Sequence, residues 1–164
     1  MADPGGVYVA PEEVGEPSVL DPRELAVLAA WVDRLVPGDA HWPPAGATPA
    51  VAYIDAMLAR APAARPPIRA ALARLADRDL TALGDEDRDA ELRALEASSE
   101  HGPAFRAVLE MTLEAYYRDP AVEQVVEART GFDSRRPMIG TPMAPFDEAR
   151  VDRVRALPPR YRQA

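Results

Sequence analysis

The sequence predicts an all-α protein, a compact bundle of about six helices with an irregular N-terminal arm and an extended C-terminal tail. Three observations predict it. Apolar residues recur at three- and four-residue spacing in successive stretches, and no alternating apolar run demands a strand. The 18 prolines cluster near both ends and at helix starts, where they punctuate elements and do not fill them. At 164 residues and 48% apolar content the chain suits one globular domain with tails.

Residues 1–20 hold Pro and Gly without periodicity and read as an arm, with Val7, Tyr8 and Val9 free to dock. Residues 21–130 read as the bundle domain. Asp21-Pro22-Arg23-Glu24 is a capping-box pattern with Pro at the first helical position. Leu25, Leu28, Val32, Leu35 and Val36 form the stripe of that helix, and Pro37-Gly38 stops it. A Pro- and Gly-rich loop spans 37–48. Thr48-Pro49 opens a second helix with Val51, Ile54 and Leu58 inward and Ala50, Tyr53 and Met57 alongside. Pro62 ends it. Pro66-Pro67 opens a third helix, with Ile68, Leu72, Leu75 and Ala76 inward. Gly84 breaks the chain, and Asp85 is placed to cap a fourth helix carrying Leu92 and Leu95.

Residues 101–128 are the stretch around which the rest is organised. Phe105, Val108, Leu109, Thr112, Leu113 and Tyr116 are expected to share one helix face. Gly102 and Pro103 suit the N-cap and first helical positions. Asp119-Pro120 then turns a corner into the sixth helix, because Pro120 disfavours a helical residue before it and Asp119 can cap the new helix. Residues 131–164 form a Pro- and Arg-rich tail. Its apolar members include Phe132, Met138, Ile139, Met143 and Phe146, and it carries one short helix near 147–156 with Val151 and Val154.

Composition excludes several jobs. All 19 basic residues are Arg, a habit of GC-rich bacterial genomes, so no mechanism can use a lysine. The absence of cysteine removes thiol and disulfide chemistry. The net charge of -8 opposes a nucleic-acid partner. That charge is uneven: residues 1–20 carry four acids and no Arg, whereas 129–164 carry eight Arg against four acids. An Arg-rich tail on an acidic body points to protein contact or self-contact. No apolar run is long enough to insert in a membrane, and the N-terminus lacks the pattern of a signal peptide, so a cytoplasmic location is expected.

The candidate chemistry is sparse. His41 and Trp42 lie in the first long loop, where Asp39 and His41 are two ligands at most and not a metal site. Asp85, Glu86, Asp87, Asp89 and Glu91 lack the order of a calcium loop and read as an acidic helix start favoured by the dipole. Ser98, Ser99 and His101 have no nucleophile elbow or orienting acid. Tyr116 and Tyr117 either meet a ligand or partner, or are a core residue and its half-buried neighbour. Arg135-Arg136-Pro137, followed by Met138 and Ile139, is the kind of Arg-plus-apolar segment that anchors partners.

Several short motifs, taken in their order, carry a family resemblance. Leu35-Val36-Pro37-Gly38-Asp39 is followed by the turn Pro44-Ala45-Gly46-Ala47 and by Val51-Ala52-Tyr53-Ile54-Asp55. Then come Phe105 with Leu109, and the corner Tyr116-Tyr117-Arg118-Asp119-Pro120-Ala121-Val122. The ending runs Val154-Arg155-Ala156-Leu157-Pro158-Pro159-Arg160-Tyr161-Arg162. Together they resemble the gluconate 2-dehydrogenase subunit 3 family over residues 22–162. Two departures stand out. No twin-arginine signal precedes the domain, and Arg136-Pro137-Met138-Ile139-Gly140-Thr141 lacks the tyrosine of the family's Gly-Tyr element.

The resemblance implies a non-catalytic small subunit of a large FAD-dependent oxidoreductase of the glucose-methanol-choline type, acting on sugars or alcohols. It implies no catalytic, cofactor or metal residues in this chain, with FAD held by the partner. The expected partner-facing residues are Trp42, Tyr116, Tyr117, Phe132, Arg135, Arg136, Met138, Ile139, Met143 and Phe146. The alternatives are a stand-alone small helical enzyme or ligand-binding protein, built around His41, His101 and the tyrosines, and a homo-oligomeric scaffold.

Overall fold

The computed structural model describes residues 18–133 and 147–157. The chain divides into two compact units, Met1–Phe132 and Asp133–Ala164. Among the described residues the first unit holds six α-helices: α1 (Pro22–Leu35), α2 (Ala50–Arg60), α3 (Arg65–Asp77), α4 (Asp85–Glu96), α5 (Gly102–Tyr117) and α6 (Pro120–Thr130). Single 3-10 turns at Ala45–Ala47 and Pro62–Ala64 lead into α2 and α3. No strand occurs among the described residues. Val7, Tyr8 and Val9 lie outside them.

Local chemistry sets the boundaries. At the start of α1 the Glu24 N–H donates to Asp21 Oδ1 at 2.8 Å, and the Asp21 N–H donates back to Glu24 Oε2 at 2.9 Å. Pro22 occupies the first turn. Arg65 closes α2 from outside, donating from Nε to the Leu58 carbonyl at 2.6 Å, and its second guanidinium nitrogen reaches the Ala59 carbonyl. At the corner, Asp119 accepts the N–H of Ala121 at 2.9 Å and that of Val122 at 3.4 Å. Gly131 ends α6 in the left-handed conformation, φ 70°.

Helix α5 is the axis of the unit and packs against α1, α2, α3, α4 and α6. It buries Gly102, Ala104, Phe105, Val108, Thr112, Ala115 and Tyr116. The expected face is corrected in one member: Leu113 is 37% exposed. The buried arc is centred between Val108 and Thr112, and Leu113 stands about 100° from Thr112 around the axis. Gly102 is the first residue of the helix and not its cap, with His101 before it. A β-carbon on Gly102 would fall 2.7 Å from the Glu96 carbonyl, so glycine here lets the end of α4 approach the start of α5.

Helix α1 buries Val27, Leu28, Trp31 and Val32, while Leu25, Leu35 and Val36 pack at the margin. Trp31 is fully buried and stacks on Phe105 with centroids 5.8 Å apart. Its indole N–H meets no acceptor among the described residues. The aliphatic stripe read from spacing did not include Trp31, although it shares the arc of Val27 and Leu28. Helix α4 starts behind Gly84, so Asp85 is its first residue and not its cap.

Side chains tie the helices at long range. Arg34 of α1 forks onto Asp89 of α4, with Nε to Oδ1 at 2.8 Å and the second nitrogen to Oδ2 at 3.0 Å, and it also reaches Asp85 at 2.8 Å. These bonds hold the Asp89 carboxyl below its usual range and raise the Arg34 guanidinium further. Glu91 lies 3.9 Å from Arg74 and Arg78 at the end of α3. The acidic run is thus an interhelical clasp, more than the dipole-favoured helix start the sequence suggested. Asp55 of α2, almost fully buried, accepts the backbone N–H groups of Val19 at 3.1 Å and Leu20 at 2.9 Å. Arg69 of α3 donates to the Val19 carbonyl and pairs with Glu24 at 3.1 Å. The last residues of the predicted arm are therefore pinned to the bundle.

The second unit contributes α7 (Ala149–Arg155), which begins two residues later than expected. The Ala149 N–H donates to Asp147 at 3.1 Å, and Leu157 beyond the helix is exposed.

Candidate partner-binding face

The expected partner-facing residues that the structure describes gather around the loop between α1 and α2 and the corner between α5 and α6. The loop is built to hold one shape. Asp39 Oδ1 accepts the N–H groups of His41 at 2.7 Å and Trp42 at 2.9 Å, and the Asp39 N–H donates to the Trp42 carbonyl at 2.9 Å. Gly38 sits at φ 74°, where a β-carbon would meet Pro44 N at 2.6 Å and the Trp42 carbonyl oxygen at 2.8 Å. The Ala45 N–H closes the loop onto the Val36 carbonyl at 2.8 Å. The two N–H donors, His41 first, hold the Asp39 carboxyl below its usual range.

Tyr116 locks this loop to α5. Its hydroxyl donates to the Pro43 carbonyl at 2.8 Å, and the residue is only 2% exposed. Burial raises the Tyr116 phenol above its ordinary value, so it stays protonated as the donor this bond needs. Tyr116 is accordingly a correction to the predicted surface set. Its ring belongs to the core, because the buried arc of α5 ends on it. Tyr117, one residue on, is 57% exposed and meets the Tyr116 ring edge-on, with centroids 5.4 Å apart. Trp42 is partly buried against the core, with the Arg129 guanidinium of α6 6.0 Å from its ring centre. Phe132, three residues further, is 58% exposed. Arg135, Arg136, Met138, Ile139, Met143 and Phe146 lie outside the described residues.

The remaining candidates have structural partners. Ser98 Oγ accepts the N–H groups of Glu100 and His101 at 3.2 Å each, which spends it on the turn before α5. His101 lies 3.9 Å from Glu100, and His41 is exposed beside Asp39. Among the described residues no three His, Asp or Glu are grouped to hold a metal. An open groove of about 220 Å³ runs over Val27, Leu72 and Ala76. A polar hollow of about 250 Å³ lies over Asp33, Arg34 and Arg88. Each is smaller than the roughly 300–1,000 Å³ of ordinary ligand sites. No helix among the described residues is long and apolar enough to cross a membrane.

Spacing could find Trp42 and Tyr117, but not that Asp39 and Tyr116 work as their supports. Asp55 was missed as a holding residue as well. The only signal was a carboxylate on an otherwise apolar helix face.

No curated protein and no solved structure matches the chain. The model of the gluconate 2-dehydrogenase subunit 3 family matches residues 22–133, from the first residue of α1 to just past the end of α6. That span contains the Asp39 loop, the Asp55 anchor and the Tyr-Tyr-Arg-Asp-Pro corner, and the chain belongs to the gluconate 2-dehydrogenase subunit 3 family.

Proposed function

We propose that this chain is a non-catalytic small subunit that binds and stabilises a large FAD-dependent oxidoreductase of the glucose-methanol-choline type, acting on sugars or alcohols. The observation that carries the proposal is the family match over the whole of α1 to α6. The surface supports it. Exposed aromatic side chains stand at Tyr117 and Phe132, beside a loop whose shape is set in advance and so costs little to order on binding. FAD belongs to the larger subunit in this reading.

The tail extends the contact in the proposal. Phe132, Met138, Ile139, Met143 and Phe146 would each contribute about 1.5–3 kcal/mol on burial, before ordering costs. Arg135 and Arg136 would orient the subunits by pairing with carboxylates of the partner.

The test is a pull-down of tagged protein from its native host, followed by an absorption spectrum of the eluate. Co-elution of a much larger chain with a flavin band is expected. A colourless single chain would overturn the reading and favour a stand-alone protein. The Arg135→Glu/Arg136→Glu double variant is expected to recover less flavoprotein, and undiminished recovery would remove these two residues from the contact.

A further inference from the structure

The outward side of α5 carries a row that the spacing of apolar residues had assigned to the core. Leu113 and Tyr117 are both exposed large apolar residues, and with the partly buried Leu109 they stand at i, i+4 and i+8. At 1.5 Å per residue the row runs about 12 Å along the helix. Rows at four-residue spacing are the ridges that fit between the ridges of a crossing helix. The fold itself does not use this one, since Val108, Thr112, Ala115 and Tyr116 fill the core side of α5. The row is continuous with the aromatic end, because Tyr117 lies edge-on to Tyr116, which holds the Trp42 loop.

Charge selects the occupant. Exposed Glu110 and Glu114 border the row, with Arg118 paired to Glu114 at 3.0 Å and Arg106 one turn before Glu110. The unit that bears the row, residues 1–132, has 23 acidic against 12 basic side chains. A second copy would bring the same excess of negative charge to the contact, which opposes self-pairing. A helix with basic flanks meets it with attraction.

We infer that the Leu109–Leu113–Tyr117 ridge seats an amphipathic helix of the large oxidoreductase subunit, its apolar stripe flanked by Arg or Lys. The inference rests on the accessory-subunit reading and adds to it a helix-on-helix contact separate from the tail.

The experiment uses the flavoprotein that co-elutes with the full wild-type chain. Its binding is measured against wild type, Leu113→Asp, Leu113→Ser, Tyr117→Ala and Glu110→Arg, at low and raised salt. Circular dichroism melts confirm that each variant folds, which the exposure of these positions favours. Leu113→Asp and Tyr117→Ala are each expected to weaken binding about tenfold or more, the scale of a central interface anchor. Glu110→Arg and raised salt are each expected to weaken the wild-type contact as well. Wild-type affinity in the Leu113 and Tyr117 variants would overturn the ridge contact and leave the accessory-subunit reading standing. Failure of wild type to recover any flavoprotein would overturn that reading and the ridge contact with it. A homodimer broken by Leu113→Asp would give the ridge to a second copy instead.

Discussion

Tyr116 and Asp39 do their work through single atoms. Replacing Tyr116 with Phe keeps the ring and removes the hydroxyl that holds the Pro43 carbonyl, so a loss of about 1 kcal/mol is expected in urea unfolding. The Trp42 loop should loosen with it, visible as faster amide exchange at His41 and Trp42. Gly38→Ala puts a side chain into a left-handed conformation and against Pro44, and a loss above about 1 kcal/mol is expected in the same assay. Acid stability is also set by single residues. The Asp89 carboxyl titrates lower in the folded chain than in the unfolded one, so the unfolded state takes up its proton first as pH falls. Its stabilisation is complete above the ordinary carboxylate range and is lost as pH drops through the depressed folded value. Thermal midpoints measured from neutral to acid pH should fall less steeply for Asp89→Asn than for wild type.

The helices differ in how far their partners lie along the chain, and this decides what spacing alone can reveal. The α1 capping box is local, and so is the Asp119 cap; their residues spell the boundary within four positions. Apolar period likewise places Leu28, Val32, Ile54, Leu58, Leu72 and Leu75 inward, where the structure has them. The period fails at Leu113. A helix with apolar residues over a wide arc leaves the direction of the core open, and only packing against α1 to α4 settles it. The contrast is measurable. Phe105→Ala removes a ring stacked on Trp31 and is expected to cost about 3–5 kcal/mol. Leu113→Ala in the isolated chain should stay within about 0.5 kcal/mol, as surface changes do. The clasp of Arg34 on Asp85 and Asp89 joins residues 51 and 55 apart, and the Tyr116 to Pro43 bond spans 73. No periodicity encodes such pairs, which is why the acidic run read only as a helix start.

At the scale of the whole molecule, the legible part of the candidate site was its residue types, and the hidden part was its supports. Trp42 and Tyr117 are visible in the sequence as aromatics in a loop and at a helix end. That one loop and one corner form a single end of the bundle is evident only from the bonds through Asp39, Tyr116 and Arg129. The anchor at Asp55 has a different consequence, for sequence drift. Its carboxylate takes hold of the peptide N–H groups of residues 19 and 20, and Arg69 takes the carbonyl between them. Main-chain atoms are the same in nearly every amino acid. Position 19, only partly buried, can therefore change its side chain freely while the approach to α1 keeps its course. Proline is the exception, since it alone has no N–H to offer. A library of variants at position 19 should accept most residues and reject that one.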